Sequence, residues 1–459
     1  MGVLAFTGTF NHACLDSLSC FCSIFINALV LDNPFVRVLD NPFVRWFLSC
    51  KPLGHRILSV LRRLILSPFL WGMYFLSGFV RRDRNLWVFG NCHSNFSDNS
   101  KYLYLYVNKH VPGVRAVWIS SNKELVRVLR QKGFEAYYKW SIGGMVVATR
   151  AGVWFFTCSS EDINCWLSNG ALLVNLWHGI PLKKIEYDAK KGISLLFVLL
   201  RKHTLTRVLH HILYPMVYES VRYPKYYVLA TSPDLSKFFS SAFRVPPSRV
   251  IVSEYPRCKV FFEDLPGQII GVDRGIYDLV SSAKNSGTRV IVYAPTFRDD
   301  GSDERVLRMV DWHDLDELLE RENAVLLIKP HVFSSLQKIP GDLHRIHLVN
   351  PRSDLYPILK HADALITDYS SIYFDFLLLD RPIVFFCYDL EDYLSRNRDM
   401  YFDYDSATPG PKVRTYEELK QAIIDVLRGR DEYAEARRKL RSRIFAPKKE
   451  LVDSVQELL

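Results

Sequence analysis

A chain of 459 residues is longer than one ordinary core supports, which predicts two domains and an appendage. With 49% hydrophobic and 24% charged residues it has a globular composition, which excludes disorder over most of its length. A formal charge of +10 and a pI near 9.0 point to an anionic partner, whether phosphorylated substrate, membrane surface or nucleic acid. The nine cysteines are scattered without repeated Cys-x-x-Cys pairing, so they read as reduced, small apolar side chains of a cytosolic protein. Zinc-protease, P-loop and dinucleotide fingerprints are missing and no acidic cluster resembles a magnesium site, so neither cofactor nor metal is expected.

Residues 1–30 are apolar and Cys-rich but lack the basic start of a secretory signal. A tandem duplication follows, Leu31-Asp32-Asn33-Pro34-Phe35-Val36-Arg37-Val38 and then Leu39-Asp40-Asn41-Pro42-Phe43-Val44-Arg45-Trp46, which the Asn-Pro steps mark as two short turns or helix starts. From Leu64 to Val80 runs an uncharged stretch flanked by Arg62, Arg63 and Arg81-Arg82-Asp83-Arg84. At seventeen residues, with Pro68, Gly72 and Gly78 inside, it reads as a helical segment in the interface of an anionic leaflet rather than a span. A buried helical hairpin packed on the globular part is the plainer alternative.

Strand-like runs begin at Leu86-Trp87-Val88-Phe89 and continue at 116–119, 135–138, 153–156, 172–176, 227–232 and 250–252, with helical stretches between several of them. After a looser stretch through Gly267 and Gly271 the style repeats, with strands at 289–293, 324–328, 346–349, 364–366 and 383–386. Such alternation predicts two mainly parallel, doubly wound sheets facing a cleft, and ligands beyond the carboxyl ends of the strands.

Polar clusters fall at those ends. Leu176 runs into Trp177-His178-Gly179-Ile180-Pro181-Leu182-Lys183-Lys184, Tyr293 into Ala294-Pro295-Thr296-Phe297-Arg298, Ile328 into Lys329-Pro330-His331, and Ile366 into Thr367-Asp368-Tyr369-Ser370-Ser371. His178 is suited to general-base work because an ordinary imidazole titrates near neutrality, and Gly179 lets a ligand approach closely. His331 is a candidate donor to phosphate, Arg257 and Arg298 grip phosphate with paired N–H groups, and Thr296 adds a hydroxyl. Ser370 and Ser371 either cap the helix that follows or leave its N–H groups to an anion. Asp368 and Asp375 would repel a diphosphate directly, so a bond to ribose or base, or orientation of a cation, is expected of them. Taken singly, each histidine also reads as structural and each arginine as solvated.

These motifs, with Tyr255-Pro256-Arg257, Tyr388-Asp389-Leu390-Glu391-Asp392-Tyr393, Pro409-Gly410-Pro411 and the loop from Gly90 to Tyr104, resemble the CDP-glycerol glycerophosphotransferase family of teichoic acid primases and polymerases over Leu86 to Val413. The resemblance implies a GT-B-like α/β fold and transfer of a glycerol phosphate or related polyol phosphate from a CDP-activated donor to a hydroxyl of a lipid-linked or polymer acceptor, releasing CMP. It implies a peripheral, monotopic protein on the cytoplasmic face of the membrane, with no nucleic-acid partner. By position His178 matches the family's proposed base, His331 its second histidine, and Ser370 and Ser371 its donor diphosphate site. Cys258 after Pro-Arg departs from the asparagine expected there, which weakens the role of Arg257.

Residues 1–84 are then a membrane-associating region, 85–265 a Rossmann-like acceptor domain, 266–430 a Rossmann-like donor-nucleotide domain and 431–459 a basic helix. Arg437-Arg438-Lys439-Leu440-Arg441-Ser442-Arg443 would join the arginines around 64–80 in a lipid-docking face, or is simply a solvated helix face. A GT-B glycosyltransferase using a nucleotide sugar is the alternative, since it would share the cleft and the diphosphate site. A catalytically silent binder of anionic polymer or nucleic acid is a further one, supported only by the basic and aromatic residues of 202–227.

Overall fold

The computed structural model describes residues 66, 68–189, 226–296, 304–331, 334, 336, 339–396 and 399–459. The tandem duplication, the basic stretch of 190–225 and Arg298 lie outside the described residues.

Two parallel sheets carry the chain. The first is built from β1 (Asp83–Phe89), β2 (Arg115–Ser120), β3 (Ala136–Tyr138), β4 (Ala151–Phe156), β5 (Leu172–Asn175), β6 (Tyr227–Ala230) and β7 (Val250–Val252), in the order β3-β2-β1-β4-β5-β6-β7. The second holds β8 (Arg289–Tyr293), β9 (Ala324–Ile328), β10 (Ile346–Leu348), β11 (Ala364–Thr367), β12 (Ile383–Phe386) and β13 (Lys412–Val413), in the order β10-β9-β8-β11-β12-β13. Each strand run read from the sequence is found. The two-residue β13 is an addition, too short to leave a pattern.

Strands buried on both faces need apolar residues throughout rather than in alternation, and β4 and β9 are buried at every position. Helices α1 (Asp98–His110), α2 (Lys123–Gln131), α3 (Ile142–Arg150), α4 (Pro233–Phe243), α5 (Arg274–Asn285), α6 (Trp312–Arg321), α7 (Ile372–Phe376), α8 (Tyr416–Leu427), α9 (Ala434–Ile444) and α10 (Leu451–Glu457) complete the layers. Their starts are written in the sequence. Asn122 caps α2, Ser232 caps α4 ahead of Pro233, and Thr415 with Glu418 forms a capping box on α8.

Strand order reverses between β1 and β4 in the first sheet and between β8 and β11 in the second. Those reversals open the crevices in which such sheets bind ligands. One apolar cluster runs from Trp87 and Phe155 in the first sheet to Val292 and Phe385 in the second and Tyr373 on α7, so the sheets share a core.

A buried ion pair joins them too. Lys101 of α1 donates to Asp354 at 2.7 Å and to the carbonyls of Gln268 and Ile270, while Tyr102 Oη donates to the same carboxylate at 2.7 Å. Burial pushes the Lys101 ammonium below its ordinary range and Asp354 opposes that shift.

The last helices return to the first sheet, with Ala446 N donating to Thr231 O at 3.0 Å and Lys448 N to Val252 O at 3.3 Å. Here three arginines of the basic run have partners within the protein. Arg437 is buried and pairs with Asp431, Arg438 bonds Asp380 at 2.7 Å and Arg443 bonds Asp234 at 3.0 Å. At the other end, residues 68–77 are helical, and this helix seats Trp71 and Tyr74 against Trp166 and Cys165 while Phe75, Leu76 and Phe79 stay exposed. Among the described residues no helix is long and apolar enough to cross a membrane.

Asp354→Ala strands the Lys101 ammonium in the core and is expected to cost about 3–5 kcal/mol. Thermal unfolding should show a clear fall in Tm, and the double variant Lys101→Met/Asp354→Leu should recover part of it.

Candidate active site

The turn after β5 is held from several sides. Asn175 Oδ1 accepts from Trp177 N at 2.9 Å, and Asn99 Nδ2 of α1 donates to the carbonyls of Leu176 at 3.2 Å and Trp177 at 2.9 Å. Trp177 takes φ +53° and Gly179 φ +148°, both outside the ordinary range for L residues. Non-glycine residues held there cost about 1–3 kcal/mol and persist only where their surroundings over-determine them. The result is an exposed His178 imidazole lying on the Trp177 ring, centroids 3.9 Å apart, with Nδ1 3.8 Å from Cys158 Sγ.

Gly179 is where the two sheets' loops meet. A Cβ on it would lie 2.9 Å from Ser371 Oγ and 3.2 Å from Arg257 Nη2, so a side chain there would force its neighbours to shift. The His178 turn thus touches the start of α7 beyond β11, as the strand-end argument required.

Arg257 has a different task from the phosphate grip expected of it. It is 4% exposed, and its Nη1 donates to Asp98 at 2.7 Å and to the His178 carbonyl at 2.8 Å. Its Nε and Nη2 donate to Asp375 Oδ2 at 2.9 and 2.6 Å, an oxygen that also accepts from Tyr356 Oη. Burial lowers the guanidinium pKa, but Asp375, Tyr356 and Asp98 outweigh it and the net shift is upward. Asp375, read from the sequence as a group near the ligand, is fully buried in this network.

Asp368 is likewise turned inward rather than toward ribose, base or a cation. It is fully buried, and it accepts the Thr296 N–H at 2.9 and 3.1 Å, holding the loop after β8 against the loop after β11. Thr367 Oγ1 reinforces that contact by donating to Ala294 O at 2.7 Å. Ser371 stands at the start of α7 without a side-chain cap bond.

Ser370, His331, Arg257, Asp98, Lys329 and Tyr356 line a cavity of about 290 Å³ between the sheets. Lys183 stands elsewhere, donating to Tyr393 Oη at 2.6 Å, and Tyr393 in turn stacks on Tyr369. Among the described residues no group of three or more His, Cys, Asp or Glu is placed to hold a metal ion.

Asn99, Asp98 and Lys329 were not singled out from the sequence. Asp98 and Asn99 lie in the Gly90–Tyr104 loop, and Lys329 sits two residues before His331. Their only signal was membership in those motifs.

Arg257→Lys keeps the charge but loses the fork, so kcat should fall at least about tenfold while KM for the donor moves less than about threefold. A rise in KM alone would restore the phosphate grip. Gly179→Ala forces a Cβ against Ser371 at an unfavourable φ and should lower both Tm and turnover, at a cost of about 1–3 kcal/mol.

Residues 72–449 match the family described as CDP-glycerol:poly(glycerophosphate) glycerophosphotransferase. The chain is 28% identical over 370 residues to a teichoic acid glycerol-phosphate transferase of Staphylococcus aureus, covering 77% of this chain and 87% of that one. It is 31% identical over 205 residues to the teichoic acid ribitol-phosphate polymerase TarL of the same species, covering 44% and 35%. Its fold matches the structure of the wall teichoic acid polymerase TagF with a TM-score of 0.63 and 22% identity, over 88% of this chain and 95% of that one. The family match spans most of the chain, and with the site's strand-end motifs it leads to one conclusion: the protein belongs to the CDP-glycerol:poly(glycerophosphate) glycerophosphotransferase family and is a phosphotransferase enzyme.

Proposed function

We propose that this enzyme moves a glycerol phosphate, or a related polyol phosphate, from a CDP-activated donor to a hydroxyl of a lipid-linked or polymer acceptor, in synthesis of a teichoic acid-like polymer. The observation that carries the reading is the contact of Gly179 with Ser371, which sets the His178 turn against the crevice between β8 and β11. The arrangement is then of GT-B type, with an acceptor domain over 85–265 and a donor domain over 266–430.

The donor's diphosphate lies along Ser370 and Ser371, with Thr296, Arg298 and His331 as further donors. An acceptor hydroxyl enters beside His178, which takes its proton as the oxygen bonds to the β-phosphorus. The bond from that phosphorus to the bridging oxygen breaks, and CMP leaves with the electron pair. Its charge is stabilised by the N–H groups and side chains that held the diphosphate. Arg257 takes no part in phosphate binding in this scheme; it holds the His178 carbonyl.

Membrane association is peripheral, on the cytoplasmic face, and the support for it is local. Phe75, Leu76 and Phe79 are exposed beside the exposed Arg81 and Arg84, the pairing of apolar and cationic groups that suits an anionic interface. The paired arginines of α9 are left out of that surface.

Incubating the enzyme with CDP-glycerol, CDP-ribitol and UDP-sugars and a synthetic lipid acceptor should release CMP from a CDP-polyol, and product mass should report the polyol and the number of units added. UDP release with a sugar in the product would overturn the reading in favour of a glycosyltransferase. His178→Ala should abolish transfer while donor affinity stays within about threefold, as expected for a group that acts only in the transition state. Normal turnover would remove His178 from the chemistry.

A further inference from the structure

The cavity between the sheets holds a cation that the mechanism above does not use. Lys329 follows β9 directly, its backbone N–H continuing the ladder to Tyr293 O at 2.8 Å. Its side chain lies in the cavity wall with His331 and Ser370. Its ammonium donates to the carbonyl of Pro351, a neutral group on the same wall.

The other charges of that wall are matched to one another. Asp354 takes the Lys101 ammonium at 2.7 Å, Asp98 takes Arg257 at 2.7 Å, and Arg257 is held by Asp375 as well. Among the described residues Lys329 has no carboxylate within salt-bridge distance. A half-buried ammonium beside a cavity, facing a backbone carbonyl and not an anion, is an anion site in waiting.

We propose that Lys329 is a binding residue of this cavity, its ammonium bonding the diphosphate of the nucleotide donor. The assignment rests on the donor reading given above and adds to it a residue and a charge. Ser370 and His331 supply hydrogen bonds there, whereas Lys329 supplies a positive charge opposite the phosphates.

The same site explains a shift in Lys329. Burial pulls its pKa down to about 8, against the weaker upward pull of Asp354 and Asp273. Asp98, Arg257, His331 and Tyr356 also face the cavity, the first two locked to each other. A bound diphosphate stabilises the ammonium and raises the pKa again. Ligand binding above pH 8 therefore draws in a proton, and affinity falls by about tenfold per pH unit until the pKa of the complex is reached.

Titration calorimetry of the full chain with CDP, and separately with inorganic pyrophosphate, tests this at pH 7 and pH 9 in two buffers of different ionisation enthalpy. At pH 9 wild-type protein should take up close to one proton per ligand more than Lys329→Arg does, and at pH 7 the two should match, the ligand's own ionisation being common to both. Lys329→Met should bind at least tenfold more weakly at pH 7 and lack the extra proton at pH 9. Lys329→Arg, which stays charged, should bind without the pH dependence, and it covers the case in which the Met variant does not fold.

Unchanged affinity and proton uptake in Lys329→Met, a retained pH slope in Lys329→Arg, or no binding of either ligand to wild type would overturn the proposal. Lysine-dependent uptake with pyrophosphate but no binding of CDP would uphold the anion site and sink the donor reading. Normal CDP binding by Lys329→Met would do the reverse.

Discussion

The geometry of the site depends on one buried guanidinium. Arg257 lies between a carboxylate of the first sheet's α1, Asp98, and one of the second sheet's α7, Asp375, and from there it holds the carbonyl of His178. Taking such a charge out of water is costly, and only a full set of acceptors makes it tolerable. Every acceptor here comes from a separate segment of the chain. The guanidinium therefore specifies how three segments meet, and the His178 turn is placed by that meeting.

The contact across the cleft shows the same economy of parts. Gly179 approaches Ser371 closely because it carries no Cβ, and Asp368 draws the loop after β8 onto the loop after β11 through the Thr296 N–H. In both sheets the reversal of strand order separates neighbouring helices and leaves a crevice. The carboxylates near it point inward, where they bond backbone N–H groups and Arg257. Ser370, Tyr356, His331 and Lys329 line the cavity together with Asp98 and Asp354, whose carboxylates are taken by Arg257 and Lys101. An anion meets donors there and few bare negative charges.

The charged surface divides along similar lines. A net charge of +10 invites the idea of a broad basic face, yet three arginines of α9 bond Asp431, Asp380 and Asp234, the last of these ties joining α9 to α4 of the first sheet. The exposed apolar side chains of the helix at 68–77, next to Arg81 and Arg84, remain as an apolar surface beside cations. Overall charge marks a partner's sign, but neighbours in space decide which cations are free to meet it.

From the sequence alone, the strands were legible because a parallel sheet buried on both faces demands continuous apolar runs, as in Val290-Ile291-Val292 and Leu326-Leu327-Ile328. The strand-end clusters followed from the same reading, and the family resemblance with them. Which way each polar side chain points was not legible, because direction depends on partners distant in the chain. Arg257 and Asp375 are 118 residues apart, and Lys101 and Asp354 are 253. The runs around Pro-Arg and Thr-Asp-Tyr-Ser-Ser marked where chemistry gathers. Only the folded chain decided that Asp368 and Asp375 are buried behind the cavity and that Arg257 is tied to carboxylates at its wall, while Ser370, His331 and Lys329 line it with donors, since burying a charge requires partners that local sequence does not contain.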